Sequence, residues 1–125
     1  MYQLRYTNLW STRELLLKVL FYRNDNGAEP VREWLKELRK EDRKTIGEDI
    51  KTAQFGWSLG MPLIRKIEKD LWEVRSYIPD GIARTFFTVE KDTMVLLHGF
   101  VEKSPGTPIR ELQTARRRLR NILGG

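Results

Sequence analysis

Glu73, Arg75 and Tyr77 recur at every second position of LWEVRSY, and Arg84 follows beyond a Pro79-Asp80-Gly81 turn. Alternate side chains of an extended chain share a face, so this spacing sets a carboxylate, two guanidinium groups and a phenol on one side of a hairpin. Lys103 ends the strand after that. Cations on a half-buried sheet need either water or an anionic partner, and a phosphate backbone suits them. The chemistry available to such a face is phosphate recognition and stabilisation of negative charge as it develops at phosphorus. Arg65, Lys66 and Lys69, just upstream, either extend a phosphate track or charge a strand edge against aggregation. Tyr77 is placed to stack a nucleobase. A plainer explanation stands beside this one: Arg75 and Arg84 pair with Glu73 or Asp80 on a solvated face. Glu73 is correspondingly either a base on a ribose hydroxyl or the partner of Arg75.

The turns set the register. A turn centred on Asp80-Gly81 pairs Tyr77 with Arg84 and Arg75 with Phe86. A second turn centred on Lys91-Asp92 brings Arg84 opposite Gly99, whose missing side chain leaves room for a guanidinium or a bound phosphate, and Val101 and Lys103 continue that face. Trp72, Val74, Phe87, Val89, His98 and Phe100 then form the opposite face, a floor for helices. His98 is the only histidine and the first candidate for acid–base work, yet this register moves it into the core beside Leu96, Leu97 and Phe100. One histidine and scattered carboxylates make no metal-binding set, so neither metal nor other cofactor is expected. The run Arg116-Arg117-Arg118 reads as a solvated helix face without a catalytic role.

Several elements must position these residues. LLLKVLFY, from Leu15 to Tyr22, has strand length and ends at the turn-rich RNDNG. Pro30 opens a helix with Val31, Trp34, Leu35 and Leu38 at helical spacing. A second begins near Glu41, buries Ile46, Ile50 and Ala53, is weakened by Gly47 and ends near Gly56, with Phe55 and Trp57 at its end. The two form a hairpin joined around Arg39-Lys40. LIRKIE, from Leu63 to Glu68, makes a short strand after the SLGMP loop. Thr107 caps a last helix with Pro108 in its first position and Ile109, Leu112, Ala115 and Leu119 along its apolar stripe. Residues 1–14 read as an N-terminal extension and residues 15–125 as a single domain.

At 125 residues the chain is long enough to bury a core without staples, and it contains no cysteine. No apolar run approaches membrane-spanning length, so a soluble, cytoplasmic protein with no membrane partner is expected. Lys and Arg outnumber Asp and Glu by 23 to 17, with the excess concentrated after Arg110. That polarity favours polyanions, nucleic acid first.

Four separated motifs occur in order: FYRNDNGAEPVREWL, GMPLIRKIEKDLWEVR, ARTFFTVEKDTMVLLHGFVEK and TPIRELQTARRRL. Within them LWEVR, Leu97-His98-Gly99-Phe100 with Lys103, and Thr107-Pro108 with Glu111 and a following Ala and Arg are the most telling. From about Val19 to Leu123 the chain resembles the phage-derived, HigB-type branch of the RelE-like toxins. The resemblance implies an α+β fold: a twisted, mainly antiparallel sheet with a two-helix hairpin on one face and a C-terminal helix. It also implies the toxin of a type II toxin–antitoxin system. Such a toxin is a metal-independent endoribonuclease that cleaves mRNA, often on the ribosome, and is held in a hetero-oligomer by a helix-turn-helix, HigA-like antitoxin. The ribose 2′-hydroxyl attacks the adjacent phosphodiester. Arg75 and Arg84 are then the phosphate clamps, Lys103 a further cation or leaving-group acid and Glu73 the base, with Arg65, Lys66, Lys69 and Tyr77 along the RNA. Relatives commonly carry two adjacent lysines where this chain has Glu102-Lys103, which reverses one charge. A non-catalytic RNA- or ribosome-binding module, or one that binds only an antitoxin, is the alternative.

Overall fold

The computed structural model describes residues 17–57, 63–106 and 108–124. Its elements follow the order β1 (Lys18–Phe21), α1 (Pro30–Glu37), α2 (Lys40–Phe55), β2 (Ile64–Glu68), β3 (Leu71–Ile78), β4 (Gly81–Glu90), β5 (Thr93–Glu102) and α3 (Ile109–Leu123). The five strands form one sheet in the order β1-β5-β4-β3-β2, with β1 parallel to β5 and every other pair antiparallel. This is the α+β arrangement of a RelE-like domain. The N-terminal extension, the start of the first strand at Leu15, the SLGMP loop and the Thr107 cap lie outside the described residues. Pro108 is the residue that caps α3 rather than its first helical position.

Local chemistry accounts for the elements. Proline opens α1 because its missing N–H is one the first turn leaves unbonded anyway, and Glu29, just before it, is held by Arg32 and Arg23. Glu41 and Asp42 favour the positive end of α2, and Gly56 closes that helix by donating its N–H to Thr52 at 2.8 Å. The helix pair packs on one face of the sheet, where Val31, Ile46, Ile50 and Ala53 meet Val74, Ala83, Phe87, Met94 and Leu96. Trp57 extends this core, edge-on to Trp72 with ring centroids 4.8 Å apart. Helix α3 covers the other face, where Ala115 and Leu119 pack with Leu71, Phe86, Leu97 and Phe100.

Two features of register differ from the sequence-based expectation. Ile78 pairs directly with Gly81, so Tyr77 lies opposite Ile82 and Arg75 opposite Arg84. The tighter turn depends on Gly81, whose φ is +145° and whose Cβ would lie 2.2 Å from the Glu102 carbonyl oxygen. This moves the pairing by two residues, an even number, so every β3 and β4 side chain keeps its expected face. The second difference reverses faces. Pairing runs from Glu90↔Thr93 to Phe87↔Leu96 as the Lys91-Asp92 turn dictates, then β5 bulges and Phe86 pairs with His98. One extra residue, Leu97, opposes nothing and inverts the alternation beyond it. Gly99 consequently faces the helix pair, and Arg84 lies opposite Phe100. His98, Phe100 and Glu102 move to the α3 face, while Val101 packs in the core under α1 and α2.

Candidate functional site

Three guanidinium-bearing residues converge on the α3 side of the sheet because neighbouring strands place them there in register. Arg65 of β2 pairs with Glu73 of β3, and Arg75 of β3 pairs with Arg84 of β4. Arg65, Lys66, Arg75 and Arg84 line one cleft of about 490 Å³ together with Ile67, Phe86, Gly106 and Leu112. Helix α3 begins beyond one wall, and the coil after β5 supplies another.

The charges in this cleft are paired in layers. Glu73 is fully buried, and its Oε2 accepts from Arg84 Nη1 at 2.7 Å and lies 3.5 Å from Arg75 Nε. Glu102 Oε1 accepts from Arg84 Nε at 2.5 Å. Arg84 is therefore a buried cation between two carboxylates. Burial alone would favour its neutral form, but Glu102 and Glu73 outweigh that penalty and hold its pKa above the ordinary value. Glu73 Oε1 and Arg75 Nε are both buried without a hydrogen-bond partner. Arg75 keeps 29 % of its side chain exposed, and Arg65 is exposed, so these two are the cations a ligand meets first. Tyr77, two residues beyond Arg75, is 68 % exposed.

The remaining sequence candidates lie apart. Lys66 reaches the cleft rim, yet its ammonium lies 6.0 Å from the centre of the Trp72 ring, on the α1–α2 side. Lys69 is in the turn between β2 and β3, beyond the cleft. Lys103 lines a different depression with Trp34, Glu37, Asp42, Asp80 and Glu111. Among the described residues no three His, Asp or Glu side chains form a group that could hold a metal ion.

His98 is a packed, hydrogen-bonded residue as expected, but on the opposite face of the sheet from the one predicted. It lies under α3, its ring stacked near Phe86 and Phe100, with centroids 6.4 and 6.0 Å away. Nε2 lies 2.5 Å from Glu111 Oε1, and Nδ1 lies 3.3 Å from Arg118 Nη1. A guanidinium can only donate, so Nδ1 accepts and the ring proton sits on Nε2, given to the Glu111 carboxylate. Arg118 also donates at 2.8 Å to the carbonyl of Leu97, the bulged residue. Arg116 grips Glu68 of β2 through Nε and Nη2, at 2.7 Å for the closest contact. The arginine run is thus not simply a solvated face: Arg116 and Arg118 fasten α3 to the sheet.

Burial depresses the His98 pKa below the ordinary imidazole value, Glu111 opposes this, and Arg118 and Arg117 reinforce it. The unfolded chain consequently takes up this proton first. Stability from the clasp is complete above about pH 6.5 and is lost as pH falls below it towards the lowered folded value. Between pH 7.5 and 5.5 the wild-type melting temperature should fall more than that of His98→Gln; equal slopes would refute the assignment.

Glu102, Glu111 and Arg118 were not singled out from sequence as site residues. Glu111 did stand in the Thr107-Pro108 motif and His98 in the Leu97-His98-Gly99-Phe100 motif, and the fold joins these two motifs through one hydrogen bond. Glu102 stood out only as a reversed charge beside Lys103, and its approach to Arg84 was not legible because it depends on the bulge.

The family model described as Phage derived protein Gp49-like matches residues 33–120, which include both helices of the hairpin in part or whole, strands β2 to β5 and most of α3. No curated protein matches the chain.

Proposed function

Since this chain belongs to the phage-derived Gp49-like family, a family related to toxin–antitoxin systems, we propose that it is a type II toxin that cleaves mRNA without a metal. The observation that carries this reading is the convergence of Arg65, Arg75 and Arg84 on one cleft from three adjacent strands. Arg65 and Arg75 receive the scissile phosphate, and Tyr77 stacks a flanking base. Arg84 fixes the floor. RNA brings its own nucleophile, the 2′-hydroxyl, which attacks phosphorus to leave a 2′,3′-cyclic phosphate and a 5′-hydroxyl end. The protein's share is orientation of the phosphate and stabilisation of the charge that builds on its oxygens. Glu73 lies too deep to meet a ribose hydroxyl and acts instead by holding both arginines in place. Lys103, lining another depression, stays outside the phosphate site on this reading. The wider setting is mRNA on the ribosome, with a helix-turn-helix antitoxin as the controlling partner.

A second reading has its own supporting observation. Glu73 is enclosed and both ring nitrogens of His98 are engaged, so among the described residues neither this carboxylate nor this imidazole faces the cleft as a free acid or base. A module that binds RNA or ribosomes without cutting would look the same. Induced expression of wild type and of Arg65→Glu/Arg75→Gln, with mapping of transcript ends, separates the readings. Nuclease function predicts growth arrest and new 5′-hydroxyl ends that disappear in the double variant. Ribosome binding with intact mRNA selects the binding module, and unaltered toxicity of the variant rejects the cleft.

A further inference from the structure

Resting on the phosphate-cleft reading, we propose that Glu102 is an internal anion that occupies a phosphate position on Arg84 and is exchanged for an RNA phosphate when substrate binds. A carboxylate and a phosphodiester both present anionic oxygens that accept from a guanidinium edge, and they compete for the same donors. Arg84 has two such partners here, Glu73 on Nη1 and Glu102 on Nε; the Glu73 side chain is fully buried and that of Glu102 is 8 % exposed at the end of its strand. Glu73 is central in β3, fully buried and shared between two arginines. Glu102 is the last residue of β5. The chain after it, Lys103 to Gly106, is exposed, and Gly106 lines the cleft that Arg84 also lines.

Charge points the same way. With Glu102 in place, Arg84 and its two carboxylates sum to minus one, which offsets part of the positive field of Arg65 and Arg75. Swinging Glu102 out leaves a neutral Glu73–Arg84 pair and an Arg84 edge for the incoming oxygen. The floor also retains an acceptor and a donor, Glu73 Oε1 and Arg75 Nε, that a re-paired arrangement can use. A single small anion gains too little to displace a tethered carboxylate, whereas a strand whose scissile phosphate is already on Arg65 and Arg75 gains enough when the next phosphate reaches Arg84. Glu102 thus makes the cleft selective for a polyanionic strand.

The test is fluorescence anisotropy with a single-stranded 2′-deoxy oligonucleotide, which binds but lacks the attacking hydroxyl, across a salt series. Glu102→Gln should bind about tenfold tighter at 0.1 M salt, and its log–log salt slope should steepen by roughly 0.7, one additional phosphate contact. Glu102→Asp, which keeps the charge but retracts it by one methylene, should fall between the two and serves if the glutamine variant does not fold. Arg65→Gln should weaken binding in every background. If Arg65→Gln weakens binding while folded Glu102 variants match wild type in affinity and slope, the internal-anion role is wrong and the phosphate cleft stands. If no variant and no wild-type protein binds the oligonucleotide, the cleft reading and this role fall together.

Discussion

Replacing Glu73 with alanine should destabilise the protein by about 3–5 kcal/mol, the range for removing one member of a buried ion pair. The cause is the charge left behind rather than the bond lost. Arg84 is only 5 % exposed, and without Glu73 its Nη1 loses a 2.7 Å charged acceptor in a largely desolvated setting. Arg75 loses the same carboxylate. Glu102 alone then balances two guanidinium groups. Replacing the whole buried group with apolar residues, as in Glu73→Leu/Arg84→Met/Glu102→Leu, removes the desolvation cost together with the attraction. That triple variant should recover most of the loss, because well-packed apolar replacements of buried ion pairs are often neutral or stabilising. Urea denaturation of both variants measures the contrast. A triple variant less stable than Glu73→Ala would mean that the ion group contributes net stability. It would also mean that the group is kept for more than placing the arginines.

Substituting alanine for Gly99 should cost about 1–3 kcal/mol, as forcing an additional carbon into a packed core does. Its Cβ would lie 2.2 and 2.3 Å from carbons of the Trp34 indole ring. A planar ring packed against the buried core beneath α1 has little freedom to retreat. Shrinking the partner should relieve the conflict, so Gly99→Ala/Trp34→Leu should be more stable than the sum of the two single changes implies. Thermal unfolding of the four proteins closes the cycle. Strict additivity would show that the indole moves aside at no cost. The pair also bears on function: Gly99 makes room for a tryptophan on the helix side and leaves no space for a phosphate beside Arg84.

Much of the fold was legible because it is encoded within short windows. The 3.6-residue recurrence of Val31, Trp34, Leu35 and Leu38 identified α1, and Ile46, Ile50 and Ala53 did so for α2. Alternation in LWEVRSY and the turns at Asp80 and Asp92 gave three strands and their antiparallel order. The grouping of Glu73, Arg75 and Arg84 on one face survived even though the β3–β4 pairing differed by two residues, since an even shift leaves faces unchanged. Beyond Phe87 the same logic failed. A bulge at Leu97 has no compositional mark, and its odd count moved His98, Phe100 and Glu102 together to the other side.

The amino-acid sequence by itself determined the elements, their sequential pairing, the basic surplus and the arginines of β3 and β4 as a unit, because each depends on local periodicity or on charge. Only the tertiary structure decided what those arginines and His98 touch. Glu102 meets Arg84 across 18 residues, His98 meets Glu111 across 13, and Arg116 meets Glu68 across 48. Such contacts depend on where a whole strand or helix comes to rest, and a single unpaired residue in β5 sets that for His98 and Glu102.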